Sequence, residues 1–186
     1  MHAGRQTLSI LLVLVSCGGG APAQPPPVVK PPPSLKTSTE PGPTALLPEV
    51  LALGIDPTKD TDLAAIEISK KKKVMKLFTK ALGTDCTGCH TDDFRADTRN
   101  KKIARHMWKD FVSVLRDAQG NGIFCDSCHQ GKMNMLARDD DKVLAEFMKT
   151  NYVGKMKRAD GAEHKCATCH GDPFEPDIFK NKFKAE

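Results

Sequence analysis

CTGCH, at residues 86–90, is the first of three pentapeptides in this chain that share the pattern Cys-x-x-Cys-His. The other two are CDSCH at residues 125–129 and CATCH at residues 166–170. Together they use six of the seven cysteines, so cysteine follows one repeated pattern here. We expect a pattern repeated in this way to decide both what the chain binds and how it folds.

The pattern Cys-x-x-Cys-His is the attachment signature of c-type haem. One helical turn brings both sulfurs to the same side, where each forms a thioether with the haem, and the following His binds the iron. A single copy would also fit a zinc half-site or a redox dithiol. Three copies in a chain that is predicted to be exported indicate three covalent haem c groups. The predicted attachment residues are Cys86, Cys89, Cys125, Cys128, Cys166 and Cys169, and the predicted proximal iron ligands are His90, His129 and His170.

The composition predicts a core that side chains fill only in part. The chain is 39% hydrophobic but only 5% aromatic, with a single Trp. Large flat macrocycles would supply buried apolar area that aromatic residues otherwise provide. The net charge of +5 comes without RNA-recognition sequences or a long basic arm, so we expect no nucleic-acid partner. The basic run at residues 70–73 is interpreted as a solvated helix face, with a docking patch as the alternative.

Residues 1–17 are predicted to be a lipoprotein signal peptide. Arg5 supplies the positive charge, and the apolar run LSILLVLV at residues 8–15 is too short to span a bilayer as a helix. The sequence LVSC at residues 14–17 resembles the lipobox of bacterial lipoproteins, which makes Cys17 the predicted lipidation site. Several acyl chains on one residue anchor firmly, and Gly18 favours the outer membrane by the same resemblance. Ordinary signal cleavage that leaves a free thiol is the alternative.

Residues 18–45 are rich in Pro and Gly and are predicted to be a disordered tether. Proline lacks the amide hydrogen that helices and sheets need, so the stretch should be extended and solvated. The remaining residues, 46–186, are predicted to form one trihaem cytochrome c domain. The predicted location is the periplasmic side of the cell envelope, held by lipid on Cys17.

The fold class predicted for this domain is mainly α, built from units in which a helix precedes each attachment site. Aligning the second and third units on their cysteines shows an internal repeat, because Met107 and Met148 both lie 18 residues before the first cysteine. Apolar residues recur at helical spacing before each motif. The predicted helices cover residues 61–82, ending at Gly83, then begin near residues 97–98 and near residues 139–141. In the second unit the predicted apolar stripe of the helix continues to Ala118.

The segment KKIARHM at residues 101–107, between LGTDCTGCH and CDSCHQGK, resembles the multihaem cytochrome c subunit of photosynthetic reaction centres. The resemblance covers about residues 70–132, and the chain departs from the family in having three motifs where four are usual. In that family a Met on the helix before an attachment site is the distal iron ligand. The resemblance therefore implies Met75 and Met107 as distal ligands and, through the internal repeat, Met148.

The distal ligands are not fixed by the residues alone. Only His106 and His164 lie outside the motifs in the mature chain. Two histidines cannot supply the distal ligands of three irons. They remain alternatives for individual sites, as does Met156 for Met148. Met133 and Met135 are interpreted as packing residues. Arg105 is a candidate partner of a haem propionate, with a solvated Arg as the alternative.

The predicted function is electron transfer with redox partner proteins of the cell envelope. An iron closed on both sides by protein ligands exchanges electrons without binding substrate. The alternative is a haem enzyme of the peroxidase or nitrogen-oxide reductase type, which needs an open distal position with acid–base groups around it. No sequence motif for such a position is visible.

Overall fold

The computed structural model describes residues 38–185. The predicted signal peptide, the lipidation site Cys17 and most of the predicted tether lie outside these residues. None of the helices described in residues 38–185 is both long enough and apolar enough to cross a membrane.

The described chain is mainly α, as predicted. Its α-helices are α1 (Leu47–Ala52), α2 (Ile68–Leu82), α3 (Arg99–Met107), α4 (Cys125–His129), α5 (Asp141–Met148) and α6 (Cys166–His170). A 3-10 turn covers Cys86–Gly88, and π-helical segments cover Trp108–Val112, Lys149–Val153 and Ile178–Lys182. Two short strands, β1 (Leu115–Arg116) and β2 (Lys157–Arg158), pair antiparallel.

Helix α2 ends where the sequence predicts and begins later than it predicts. Gly83 caps it in the left-handed conformation, with φ of 60°. A side chain there would collide with the backbone of Gly131, whose N–H donates to the Ala81 carbonyl at 2.8 Å. Residues 61–67 are not helical, because the Asp62 carboxylate accepts the Ala64 N–H in a local turn that competes with the helix.

The internal repeat is confirmed by the fold. Thr98 caps α3 by accepting the Lys101 N–H, and Asp140 caps α5 in the same way. Each helix runs directly into a π-helical segment of 5 residues and then into a strand. In the β1–β2 pair Arg116 faces Lys157, which is its counterpart when the two motifs are aligned. The second and third units therefore meet through equivalent backbone segments.

The predicted second helix is too long, since it ends by Val112 and Leu115 already belongs to β1. Ala118 is accordingly exposed and not part of an apolar helical stripe. The π-helical segment explains the difference, because it changes the register of the residues that follow it. It also turns Trp108, which the predicted stripe did not include, fully into the interior.

Two apolar clusters support the three motifs. The first packs Trp108 and Phe78 with their ring centroids 6.0 Å apart and sets Phe124 edge-on against both. The indole N–H of Trp108 donates to the Asp60 carbonyl at 2.6 Å. The second cluster contains Leu115, Ile123, Phe147, Tyr152 and Met156. Three of the ten aromatic residues, Phe78, Trp108 and Phe124, thus pack together where α2, the segment after α3 and the start of α4 meet.

The ordered domain also includes residues 38–45, which composition assigns to the tether. The Asp126 carboxylate accepts hydrogen bonds from Thr44 Oγ1 at 2.6 Å and from the Ala45 N–H at 2.7 Å. The Tyr152 hydroxyl donates to the Thr39 carbonyl at 2.8 Å. This segment is therefore fastened to the second and third units by specific polar contacts that its Pro-rich surroundings do not reveal.

Candidate haem sites

Each of the three motifs forms a single helical turn, which is the geometry that attachment requires. CDSCH and CATCH are the helices α4 and α6, and residues 86–88 form the 3-10 turn. Asp85 begins the first turn by accepting both the N–H and the hydroxyl of Thr87. The local sequence thus places the two cysteines of each motif one turn apart.

In two of the three motif histidines a backbone carbonyl fixes which ring nitrogen carries the proton. His129 Nδ1 lies 2.9 Å from the Lys132 carbonyl and His170 Nδ1 lies 2.7 Å from the Glu175 carbonyl. A carbonyl only accepts, so Nδ1 carries the proton in each ring and Nε2 keeps its lone pair for a metal. Burial lowers the pKa of His129 from its usual value, which favours the neutral imidazole that binds iron.

The first motif opens onto a cavity of about 680 Å³. Its lining includes Cys86, Cys89 and His90 together with Met75 of α2. The structure therefore brings the methionine that the resemblance implies to the attachment site that follows it. Basic side chains lie around the same cavity, namely Lys71, Lys72, Lys76, Lys101 and Arg105. Arg105 also binds the Asp97 carboxylate at 2.7 Å, which lowers the pKa of Asp97.

The second motif opens onto a cavity of about 480 Å³. Cys125, His129 and Met107 all line it, so the placement of α3 brings Met107 to the second site as α2 brings Met75 to the first. Its other lining groups include Arg99 and Arg138. Met133 lines the same cavity, four residues after His129.

Both cavities suit a flat apolar group that carries carboxylates. Phe78, Leu82 and Ala104 provide apolar walls to both, and lysine and arginine side chains provide cations. Beside the first cavity, His90 Nδ1 is buried and has no hydrogen-bond partner among residues 38–185. Haem has an apolar macrocycle, two propionates and an iron that accepts imidazole and thioether ligands, so the residues present fit it.

The third motif is placed differently. Lys182 Nζ donates to the Cys169 carbonyl at 2.9 Å, and the Cys169 thiol contributes to the raised pKa of Cys128. Met148 packs against the second apolar cluster, as Cys128 and Met135 also do. It lines neither of the two cavities described above, so its role as the third distal ligand remains a prediction.

The thiols of Cys125, Cys128 and Cys169 are protonated at neutral pH. Burial raises the pKa of Cys128 to about 12 and that of Cys169 to about 11, and it raises the pKa of Cys125 further. A reactive dithiol needs the opposite, a pKa lowered towards neutrality. This environment disfavours thiol–disulfide exchange.

The two histidines outside the motifs have different surroundings. The His106 ring stacks on Phe183 at 4.5 Å, and its Nδ1 lies 3.1 Å from Asp110 Oδ2. His164 Nδ1 lies 3.2 Å from the Met156 carbonyl, and its Nε2 is buried with no hydrogen-bond partner in the described chain. His164 is thus the better oriented of these two alternative ligands.

Sequence reasoning missed an aromatic partner of two proximal histidines. Phe94 stacks on His90 at 4.8 Å, and Phe174 stacks on His170 at 4.7 Å. Both phenylalanines lie four residues after the histidine, in the longer shared pattern Cys-x-x-Cys-His-x-Asp-x-Phe. The signal was available, since aligning the first and third motifs beyond the histidine shows it.

The family model described as "Outer membrane cytochrome MtrC/MtrF-like, domains II/IV" matches residues 58–180, which is more than half of the chain. The chain belongs to this family. No curated protein and no solved structure matches it. The matched residues include α2 and all three motifs, so the protein is a multihaem cytochrome, and haem c with its iron is the cofactor that the family implies. The resemblance of residues 70–132 to the reaction-centre subunit remains a prediction.

Proposed function

We propose that this cytochrome carries three covalent haem c groups and transfers electrons at the cell envelope. The observation that carries the proposal is that one cavity joins CTGCH to Met75 and a second joins CDSCH to Met107. Haem iron closed by His on one side and Met on the other supplies one-electron transfer without binding a substrate. The residues at both cavities supply this pair of ligands.

The roles of the residues follow from the motifs and the repeat. We assign His90, His129 and His170 as proximal ligands, with Met75 and Met107 as distal ligands. Met148 is assigned to the third iron because the repeat gives it the place that Met107 has. Met156 stays as the alternative to Met148, and His106 and His164 stay as alternatives at individual sites. In this arrangement the haems complete the core between the two apolar clusters.

Close spacing of the sites supports passage of electrons within the domain. Phe78, Leu82, Cys89 and Ala104 line both cavities, so a single layer of side chains separates the first site from the second. The β1–β2 pair joins the second unit to the third. We infer that electrons pass in the order of the motifs, with the second site in the middle.

The haem count has a direct test. Mass spectrometry of the denatured protein, made in a host with full cytochrome maturation, should show three haem additions, since thioether bonds survive denaturation. Replacing Cys166 and Cys169 together with Ser should leave two. A parent protein with two additions or fewer would overturn the count.

We propose that the cytochrome is held at the outer membrane by lipid on Cys17 and exchanges electrons with envelope redox proteins. The LVSC boundary at residues 14–17 supports the anchor, and the family's description as outer membrane cytochromes supports the location. Residues 38–46, where the chain joins the domain, are fastened by polar contacts. A tether that starts there would hold the domain at a defined point.

Replacing Cys17 with Ser should release the cytochrome from the membrane fraction, because a hydroxyl cannot accept the thioether-linked lipid. Several acyl chains bind a membrane firmly, and their loss should shift nearly all of the protein to the soluble fraction. Ser16→Ala, which keeps the thiol, is the matched control. If Cys17→Ser remains as membrane-bound as the parent protein, the anchor lies elsewhere.

A further inference from the structure

Two guanidinium groups from distant parts of the chain meet over one aromatic ring. Arg99 begins α3 and Arg138 follows the second motif, and their Cζ atoms lie 5.9 Å and 4.8 Å from the centroid of the Phe179 ring. Phe179 belongs to the π-helical segment after the third motif. The contact therefore joins residues before and after the second motif to the segment that follows the third motif.

These two arginines have no carboxylate partner among the residues that the structure describes. Elsewhere in the described chain Arg105 binds Asp97 and Arg158 binds Asp160. Two cations that share one ring repel each other unless an anion lies between or beside them. Arg99 also stands in the first turn of a helix with no acidic residue there, where a positive charge opposes the helix dipole. Helix stability therefore does not account for its position.

Both guanidinium groups line the second cavity together with Cys125, His129 and Met107. We propose that Arg99 and Arg138 bind the two propionate carboxylates of the second haem, an inference that rests on the proposed function. A guanidinium binds a carboxylate through two parallel N–H bonds, which a lysine cannot reproduce. The Phe179 ring packs against both guanidinium groups and fixes their positions.

The arrangement has a consequence for the second iron. The reduced iron carries one positive charge fewer than the oxidised iron, so nearby cations favour reduction. Arg99 and Arg138 thus raise the midpoint potential of the second haem. Because Phe179 comes from the third unit, that unit helps to set the potential of the second site.

The test is a spectroelectrochemical titration of the full holoprotein carrying R99Q and R138Q. Glutamine keeps a polar side chain and removes the charge. In the double variant the reduced-to-oxidised ratio of the second haem should fall roughly tenfold at a given potential, which is about 59 mV for one electron. Met107→His, which lowers the potential of the same haem, identifies the component to follow.

Arg95→Gln is the matched control, because Arg95 lines neither cavity. Arg95→Gln should leave the midpoint potential of the second haem unchanged. Arg138→Lys should keep most of the effect of the charge on that potential and lose the paired hydrogen bonds. A double variant whose three potentials equal those of Arg95→Gln would overturn the inference. Loss of the proposed function itself is distinguishable, since the parent protein would then lack a haem at Cys125 and Cys128 by mass.

Discussion

Replacing Met107 with Ala should open one iron of the oxidised protein and leave the other two closed. Met107 lines the second cavity with Cys125 and His129, and Ala has no atom that can replace the thioether. The variant should bind carbon monoxide at one haem in the reduced state, whereas the parent should bind almost none. The weak near-infrared band of sulfur-to-iron charge transfer should lose the intensity that one haem contributes.

Met133→Ala is the matched control for this experiment. It removes the same kind of side chain from the same cavity, but Met133 lies four residues after His129 and not on the helix that precedes the motif. We expect the near-infrared band and the closed iron to be retained. A parent protein without the band, and with low-spin signals of paired imidazoles, would contradict the methionine assignments. His164, whose Nε2 is buried and unpaired in the described chain, would then be the first ligand to test.

Replacing Trp108 with Ala should lower the free energy of unfolding by about 3–5 kcal/mol, the cost of removing a large buried aromatic side chain. Trp108 is 0% exposed and packs against both Phe78 and Phe124. The change also leaves the Asp60 carbonyl without its 2.6 Å donor. The measurement is urea unfolding of the holoprotein, followed by far-ultraviolet circular dichroism.

Two further variants separate the contributions at Trp108. Trp108→Phe keeps an aromatic ring and loses the indole N–H, so it should cost only about 1–3 kcal/mol. Leu51→Ala, at a side chain that is 48% exposed, should change stability by no more than about 0.5 kcal/mol. A Trp108→Ala variant that unfolds with the same midpoint as Leu51→Ala would show that the first cluster does not stabilise the domain.

Much of the fold was predictable where a local signal decides it. Gly83, Thr98 and Asp140 mark helix ends through side-chain or backbone chemistry that the sequence shows directly. The repeat was predictable because the second and third units keep the same spacing. The π-helical segments were not, since no residue type specifies them and the burial of Trp108 decides the local register.

The candidate sites divide in the same way. The spacing within the motifs predicts the attachment cysteines and the proximal histidines, and the resemblance to the reaction-centre subunit implies Met107. Arg99, Arg138 and Phe179 could not be identified, because they come from three separate segments and only the folded chain brings them together. The carbonyls that orient His129 and His170 could not be predicted from the sequence either, because every residue has a carbonyl.

The contacts of residues 38–46 set an order of events in the making of this protein. The Thr44–Asp126 bond joins residues 82 positions apart, and the Tyr152–Thr39 bond joins residues 113 positions apart. Residues 38–46 are synthesised before the partners to which they bind, and contacts between residues so far apart in the chain form slowly. Their docking covers α4, where Cys125 is only 8% exposed. This segment therefore docks late in folding, after the second and third units that supply its partners have formed.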